Sequence, residues 1–277
     1  MRTEGSASSR TVIRPNQRGP ALAEAYARRE LLYFLIWRDI SIRYRQTLLG
    51  IAWAVLVPVT QLVIFTVIFG RFAGIQPDGN YPYPLFVLAA LVPWNFFSQS
   101  VVQGGQSLVS QQEVIKKVYF PRLFVPTGSV VGNCIDLLIS FGVYAALLAW
   151  YRYIPSWETI FVPLLAAWTL LVSLGATYLL SALTVAYRDF RYITPLLIQS
   201  LLFLSPIFYP ATIIPERYRW LLGLNPMAGI IDSFRSAILG KPWDVPTLLT
   251  SMVVTVLLLA IGLWYFRENE QRFADIA

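Results

Sequence analysis

Gln111-Gln112-Glu113-Val114-Ile115-Lys116-Lys117-Val118-Tyr119-Phe120-Pro121-Arg122 lies between two long apolar segments, residues 84–106 and 123–150. A helix rises about 1.5 Å per residue, so about 20 apolar residues cross a hydrocarbon core about 30 Å thick. Both neighbours are long enough, and a plain return between them needs only a turn. This return carries Lys116, Lys117 and Arg122 beside an apolar trio, Val118, Tyr119 and Phe120. The cations alone fit a loop that obeys the positive-inside rule. The trio adds something to bury, which fits docking onto a partner. The rest of the chain decides between the two.

Working outward, six apolar segments appear: 51–69, with Pro58 inside it, 84–106, 123–150, 159–186, 193–209, interrupted at Pro206, and 245–266. Of the 277 residues 56% are hydrophobic and 13% charged. A soluble domain carries roughly 25% charged residues, so most of this chain faces lipid or other apolar helices. The fold expected is all-α and integral to a membrane. The net charge of +7 fits basic loops near anionic headgroups rather than nucleic acid. With the N-terminus inside, six of the 22 Lys and Arg fall on the opposite side: Arg71, Arg152, Arg217, Arg219, Arg235 and Lys241. That asymmetry puts both termini, and the loop 111–122, in the cytoplasm.

Residues 1–20 are rich in Arg, Ser, Gly and Pro and read as a disordered cytoplasmic tail rather than a cleaved targeting segment. Residues 21–50 read as an amphipathic interface helix. From Arg28 to Leu49 the residues Tyr33, Ile36, Trp37, Ile40, Tyr44 and Leu48 share one face at 100° per residue, with Arg38 and Arg45 opposite. Leu31, Leu35 and Ile42 spoil the polar face, so part of it is expected to pack on protein. The six-span domain covers 51–266, and 267–277 form a cytoplasmic tail.

Between the fifth and sixth spans, Pro215 starts a short helix and 223–225 break it. Pro226 then opens a second helix that Gly240 ends. Neither is long enough to span. Two half-helices at a Pro/Gly break fit a re-entrant hairpin over a pathway, or an interfacial cap on span five.

Polar residues in the spans form two stripes. Asn95, Gln99, Gln103 and Gln106 lie along the second span, and Ser129, Asn133, Asp136 and Ser140 along the third. Interhelical hydrogen bonding and the lining of a pathway both account for them. The aromatics Trp53, Phe65, Trp168 and Tyr178 offer flat faces on which a sugar could stack, or belong to interfacial belts.

Several chemistries are excluded. The chain has no histidine, hence no His-based hydrolase, His zinc site or His proton relay. Its single cysteine, Cys134, forms no intrachain disulfide. The only Gly-Lys pair, Gly240-Lys241, is followed by Pro242, so there is no phosphate-binding loop of the Gly-x-x-x-x-Gly-Lys-[Ser/Thr] kind. No nucleophile–base set or paired carboxylates appear. The chain reads as a conduit, not a catalyst.

Particular stretches then gain meaning in their order: 44–53, 92–97, 114–122, Tyr187-Arg188-Asp189-Phe190-Arg191-Tyr192, 215–220 and Leu224-Asn225-Pro226-Met227. Together they resemble the permease subunit of ABC-2 type polysaccharide exporters, most of all the Wzm-type O-antigen (lipopolysaccharide) exporter permeases. Teichoic acid and capsule exporters are related. The resemblance covers residues 28–266.

It implies a homodimer in the bacterial inner membrane, with two copies of a separate ABC ATPase that holds ATP and Mg; this chain itself would carry no cofactor or metal. It implies export of undecaprenyl-diphosphate-linked polysaccharide to the periplasm, among membrane lipid and without nucleic acid. Residues Glu113, Val114, Ile115, Lys116, Lys117, Val118, Tyr119, Phe120, Pro121 and Arg122 would be the ATPase-coupling loop. Tyr187, Arg188, Asp189 and Arg191 would make a second cytoplasmic contact. The hairpin, with Pro215, Arg217, Trp220, Asn225, Pro226 and Met227, would be a periplasmic gate.

The family motifs do not fix the pathway lining. Its candidates are Trp53, Phe65, Asn95, Gln99, Gln103, Asn133, Asp136 and Tyr178. A diphosphate needs cations at the inner interface; Arg38, Arg43 and Arg45 are placed for it, or for anionic lipid. The alternative function is a stand-alone ion-coupled lipid or sugar flippase without an ATPase. It leaves the apolar-basic loop without a purpose. A membrane-embedded glycosyl- or acyltransferase lacks its catalytic residues.

Overall fold

The computed structural model describes residues 29–45, 50, 52–113 and 121–270. The described residues are helical, with no strand among them. In chain order α1 is Arg29–Arg45, and α2 is Ala52–Phe65, continued by π-helical turns over Thr66–Phe72. Next come α3, Tyr83–Ser110, α4, Phe124–Gly132, and α5, Cys134–Trp150. A 3-10 turn, Trp157–Phe161, leads into α6, Val162–Ala186, and then α7, Phe190–Leu204. The last three are α8, Glu216–Gly223, α9, Pro226–Leu239, and α10, Val245–Asn269.

Five helical stretches are long and apolar enough to cross a membrane: Ala52–Phe72, Tyr83–Ser110, Phe124–Trp150, Trp157–Ala186 and Val245–Asn269. The chain therefore has the build of an integral membrane protein. The expected fifth span is shorter than a crossing helix: α7 has 15 residues and stops at Leu204. There the chain leaves the helix and runs through Pro206 to Tyr209.

One helix sits at the centre. Every residue of α3 from Leu85 to Phe97 is buried, as expected of a helix that is apolar all round. Helices α2, α4, α5, α6, α7 and α9 pack around it. The outer face of α10 exposes Leu249, Val253, Val256 and Trp264, side chains that water would not favour and lipid would.

Close backbone approach joins α6 to α10. A Cβ added at Gly175 would lie 2.8 Å from the Leu259 backbone, and one at Gly262 would collide with the Gly175 carbonyl. Only glycine fits this crossing, and without water to drive association such close contact is what holds membrane helices together.

The third span, Phe124–Trp150, is continuous but for one irregular turn at Asn133 between α4 and α5. As expected from Leu35, part of α1 packs on protein. Tyr33 and Trp37 are 68% and 59% exposed, while Leu35 is only 5% exposed. The cause is α4, whose Gly128 and Gly132 leave room for Leu35, Ile36 and Ile40 to lie against it. The helix thus has a lipid-type face and a protein face. The tail 1–20 and most of 267–277 lie outside the described residues.

Candidate functional site

The bundle has two ends, each defined by contacts between distant segments. At the near end, the guanidinium of Arg122 donates to the Glu270 carbonyl. Gln106 Nε2 donates to the Arg191 carbonyl at 3.4 Å, and Gln111 Nε2 reaches Asp39 Oδ2 at 3.5 Å. At the far end, the Tyr83 hydroxyl donates to the Phe208 carbonyl at 2.7 Å and Tyr153 to the Leu239 carbonyl at 2.9 Å. Segment 190–209 is thus tied at its start to one end of α3 and at its close to the other.

The near end holds the stems of the loop 111–122. Gln111 N donates to the Ser107 carbonyl, and Phe124 N to the Pro121 carbonyl. Beneath them lies an apolar cluster of Leu35, Leu108, Phe124, Val125, Tyr178, Ala182, Val185 and Phe266, drawn from α1, α3, α4, α6 and α10. The stems therefore stand on a packed base. Glu113, Pro121 and Arg122 are described; Val114, Ile115, Lys116, Lys117, Val118, Tyr119 and Phe120 lie outside the described residues. Tyr187, Arg188, Asp189 and Arg191 are all exposed at the same end.

Arg38 binds Asp39 at 2.9 Å, so its charge is already partnered. The side chains of Arg43 and Arg45 lie outside the description.

The polar stripes divide. Trp53, Asn95, Gln99 and Asp136 line one cleft of about 130 Å3 between α2, α3 and α5, with Pro58, Phe96 and Ser140 in its wall. Asn95 Nδ2 donates to Gln61 Oε1 at 2.8 Å, which fixes the amide at the cleft edge. The other four candidates are elsewhere. Asn133 is fully buried and donates to Ser100 Oγ at 3.1 Å. Tyr178 is buried in the near-end cluster, its hydroxyl 2.9 Å from Thr127 Oγ1. Phe65 packs in a ring cluster with Phe69 and Phe208, and Gln103 lies on the exposed side of α3. Asn133 and Tyr178 line no surface of the chain. Of the third-span stripe, Asp136 and Ser140 thus reach the cleft, while Asn133 packs on α3.

At the far end, Asn225 caps α9 by accepting from Met227 N at 3.1 Å and donates to Ser205 Oγ at 2.8 Å. Pro226 occupies the first turn, where a missing N–H costs nothing. Met227 is buried, whereas Pro215, Arg217 and Trp220 are exposed on or beside α8. All of α9 from Met227 to Leu239 is buried.

Sequence reading missed the polar group that holds α9. Arg235, with no exposed surface, donates to the carbonyls of Phe86 at 3.2 Å, Pro206 at 2.6 Å and Ile207 at 2.7 Å. Its guanidinium lies 3.4 Å from the Phe86 ring centroid. The break after α7 frees carbonyls that need donors, and the planar fork of one arginine satisfies two of them.

Beside it Lys241 binds Asp232 at 2.5 Å and Asp78 at 2.8 Å, and the Tyr81 hydroxyl donates to Asp78 at 2.7 Å. Burial pushes the Asp78 carboxyl upward, but the Lys241 ammonium and the Tyr81 hydroxyl outweigh it and hold it below its ordinary value. Burial lowers Lys241, yet the two carboxylates carry it above the usual lysine value. Burial and the neighbouring Asp78 carboxylate push the Tyr81 hydroxyl well up. No cluster of side chains suited to a metal ion occurs among the described residues.

The sequence that builds these two ends has relatives among known proteins. A family model described as "ABC-2 type transporter" matches residues 30–239. The chain belongs to the ABC-2 type transporter family. Among its ABC-2 relatives, an O-antigen export system permease protein of Myxococcus xanthus is 30% identical over 256 residues, 91% of this chain and 97% of that protein. A protein of the same name from Klebsiella pneumoniae is 27% identical over 248 residues, 89% of this chain and 95% of that protein. A polysialic acid transport protein of Escherichia coli is 27% identical over 244 residues, 86% and 92%. The ABC-2 match starts within α1 and ends with α9, so it takes in both ends of the bundle.

Proposed function

We propose that this chain is the non-catalytic, membrane-spanning permease of an ATP-driven exporter. Its cargo is a polysaccharide carried on undecaprenyl diphosphate, of the O-antigen kind. The observation that carries this reading is the end-to-end similarity to an O-antigen export permease, 97% of whose length is covered. Two copies of the chain form the pathway in the bacterial inner membrane. Two copies of a separate ABC ATPase bind ATP and Mg beneath the near end. The near end is cytoplasmic, in keeping with its excess of Lys and Arg, and both termini lie there.

Segment 190–209 is the sixth crossing in this reading. Its two ends are bonded to Gln106 and Tyr83, positions about 35 Å apart along α3 at 1.5 Å per residue. A helix of α7's length supplies about 22 Å, and the bent residues 205–208, with Ile207 N bonded to the Ser205 carbonyl, carry the chain on to Phe208. Helix α9, with 14 residues, reaches about 21 Å, too short to cross. With α8 it makes a re-entrant hairpin on the periplasmic side.

A long polar chain crosses hydrocarbon only where a protein surface replaces its water. The cleft of Trp53, Asn95, Gln99 and Asp136 is one wall of that path, and sliding favours its few weak contacts over one tight site. Arg43 and Arg45 take the diphosphate, since Arg38 is paired. Motion begins at the loop 113–122. It passes through the packed base into α3, and reaches the hairpin where the Phe86 carbonyl meets Arg235.

The test is association. The chain is co-purified with a co-expressed candidate ABC ATPase, with and without Val118→Asp/Tyr119→Asp. Loss of a buried aromatic anchor weakens such a contact by about tenfold or more, and ATP turnover by the complex falls with it. Unchanged association and turnover would sink the coupling role.

A further inference from the structure

We propose that a far-end pocket seats one acyl chain of a bilayer phospholipid, with the lipid phosphate held at the rim by Arg217. The pocket measures about 640 Å3 and is walled by α3, α6, α7, α8, α9 and α10, with Val101, Leu180, Leu201, Leu221, Leu222 and Leu258 in its surface. Among the described residues that line it, none is Asp, Glu, Lys or Arg. Two of its polar members are already engaged, Asn225 with Ser205 and Met227, and the Tyr209 hydroxyl with the Phe203 carbonyl at 3.3 Å, and the Tyr218 ring lies at the rim against Arg217. What remains is a hydrocarbon wall. Sugar or diphosphate inside it would lose water without replacement.

Size and access specify the occupant. An apolar cavity of about 150 Å3 takes one benzene and stays free of water. This pocket is about four times larger, room for a hydrocarbon segment on the order of two dozen carbons by the same scale. Leu197, Leu204 and Leu224 line it and are also 46%, 64% and 59% exposed, so the mouth opens sideways, in the direction of lipid.

The rim carries the second half of the ligand. Tyr218 lines the pocket, and the exposed Arg217 guanidinium stands 4.6 Å from its ring centroid. Trp220, 64% exposed on the same helix, is the kind of residue that sits at headgroup depth. A slot for one chain and the Arg217 cation at its edge match a phosphodiester lipid. The seated chain fills the space between the α8–α9 hairpin and α7, so the hairpin shifts only when the chain leaves or moves with it.

The experiment uses the full chain in bilayer nanodiscs that contain a phospholipid with a photoactivatable diazirine in one acyl chain. Cross-links are mapped by peptide mass spectrometry. Labelling is expected to concentrate on Leu201 and Leu258 over the open lipid face at Leu249 and Val253. Leu201→Trp, which fills the slot, cuts it by about tenfold, the effect of a modest steric loss. Leu204→Trp, at the exposed mouth, does the same if Leu201→Trp does not fold. Arg217→Ala lowers retention of phosphatidylglycerol in native mass spectrometry several-fold.

Equal labelling of pocket and open face overturns the proposal, as does labelling unchanged by both tryptophans. Displacement of the phospholipid by an equimolar polyprenyl phosphate overturns it too, and assigns the slot to the carrier lipid. None of these readouts depends on the ATPase or the glycan.

Discussion

Replacing Arg235 with alanine is predicted to release the hairpin from the bundle. The side chain makes three hydrogen bonds from a charged donor to the carbonyls of Phe86, Pro206 and Ile207 and lies on the Phe86 ring. A hydrogen bond to a charged group contributes about 1.5–3 kcal/mol, and a desolvated cation–π contact about 2 kcal/mol. These are not additive. Breaking a buried charge set by removing one partner costs about 3–5 kcal/mol, so we take about 4 kcal/mol. That is close to a thousandfold, about 10^3, in the closed-to-open ratio of the segment.

Two assays read it. Cleavage of 211–225 by a dilute protease follows the open population when reclosing is fast, and so rises by about 10^3. The Tm of the chain in detergent falls by about 10 °C, at 2–4 °C per kcal/mol for a chain of this size class. Arg235→Lys keeps a charge but not the planar fork, and loses about half as much. Arg217→Ala, on the exposed helix, shifts Tm by no more than about 2 °C. Equal behaviour of Arg235→Ala and Arg217→Ala in both assays would refute the reasoning.

Three further outcomes follow from the same geometry. The Asp78–Lys241–Asp232 set gives a signed pH dependence. Asp78 is lowered on folding, so its contribution is present above the ordinary carboxylate value near 4 and is lost as pH falls through its folded value. Lys241 is raised, so its contribution holds below the ordinary lysine value and is lost as pH rises through its folded one. In Tm scans Lys241→Met is less stable than the parent at pH 7, and the deficit shrinks below about pH 4 as the stranded carboxylates take up protons. Asn225→Ala removes a helix cap worth about 1 kcal/mol and the bond to Ser205, raising cleavage of 211–225 by tenfold or so. Gly175→Leu drives α6 and α10 apart at a cost of about 3 kcal/mol or more, whereas Gly142→Leu, whose added Cβ meets nothing within 4 Å, leaves Tm unchanged.

Local chemistry was legible in the sequence. Pro215, Pro226 and Gly240 marked the bounds of α8 and α9 because each acts through its own backbone: Pro226 sits in the first turn of α9, and Gly240 takes φ 73° at its end. Apolar runs gave the spanning helices because length against bilayer thickness is a one-dimensional criterion. Asn95 and Gln99 line one cleft for a similar reason, since they share a helix face.

What failed depended on long-range packing. Asn133 and Asp136 were read as one stripe, yet Asn133 packs on Ser100 of α3 while Asp136 lines the cleft. Arg235 served only as a count of charge on the outer side, because its first partner, Phe86, is 149 residues away. Lys241 meets Asp78 across a similar separation. Gln61 left a readable signal, a lone amide inside the apolar run 59–65, which needs a partner in a membrane; Asn95 is that partner.

The account stands on this permease being driven by a separate ATPase at its near end. The most direct measurement is transport of lipid-linked polysaccharide across proteoliposomes holding the chain, its ABC ATPase or both. The account predicts export only with both proteins, ATP and Mg, and none with Val118→Asp/Tyr119→Asp. Movement of the glycan by this chain alone, driven by an ion gradient and indifferent to ATP, would contradict it.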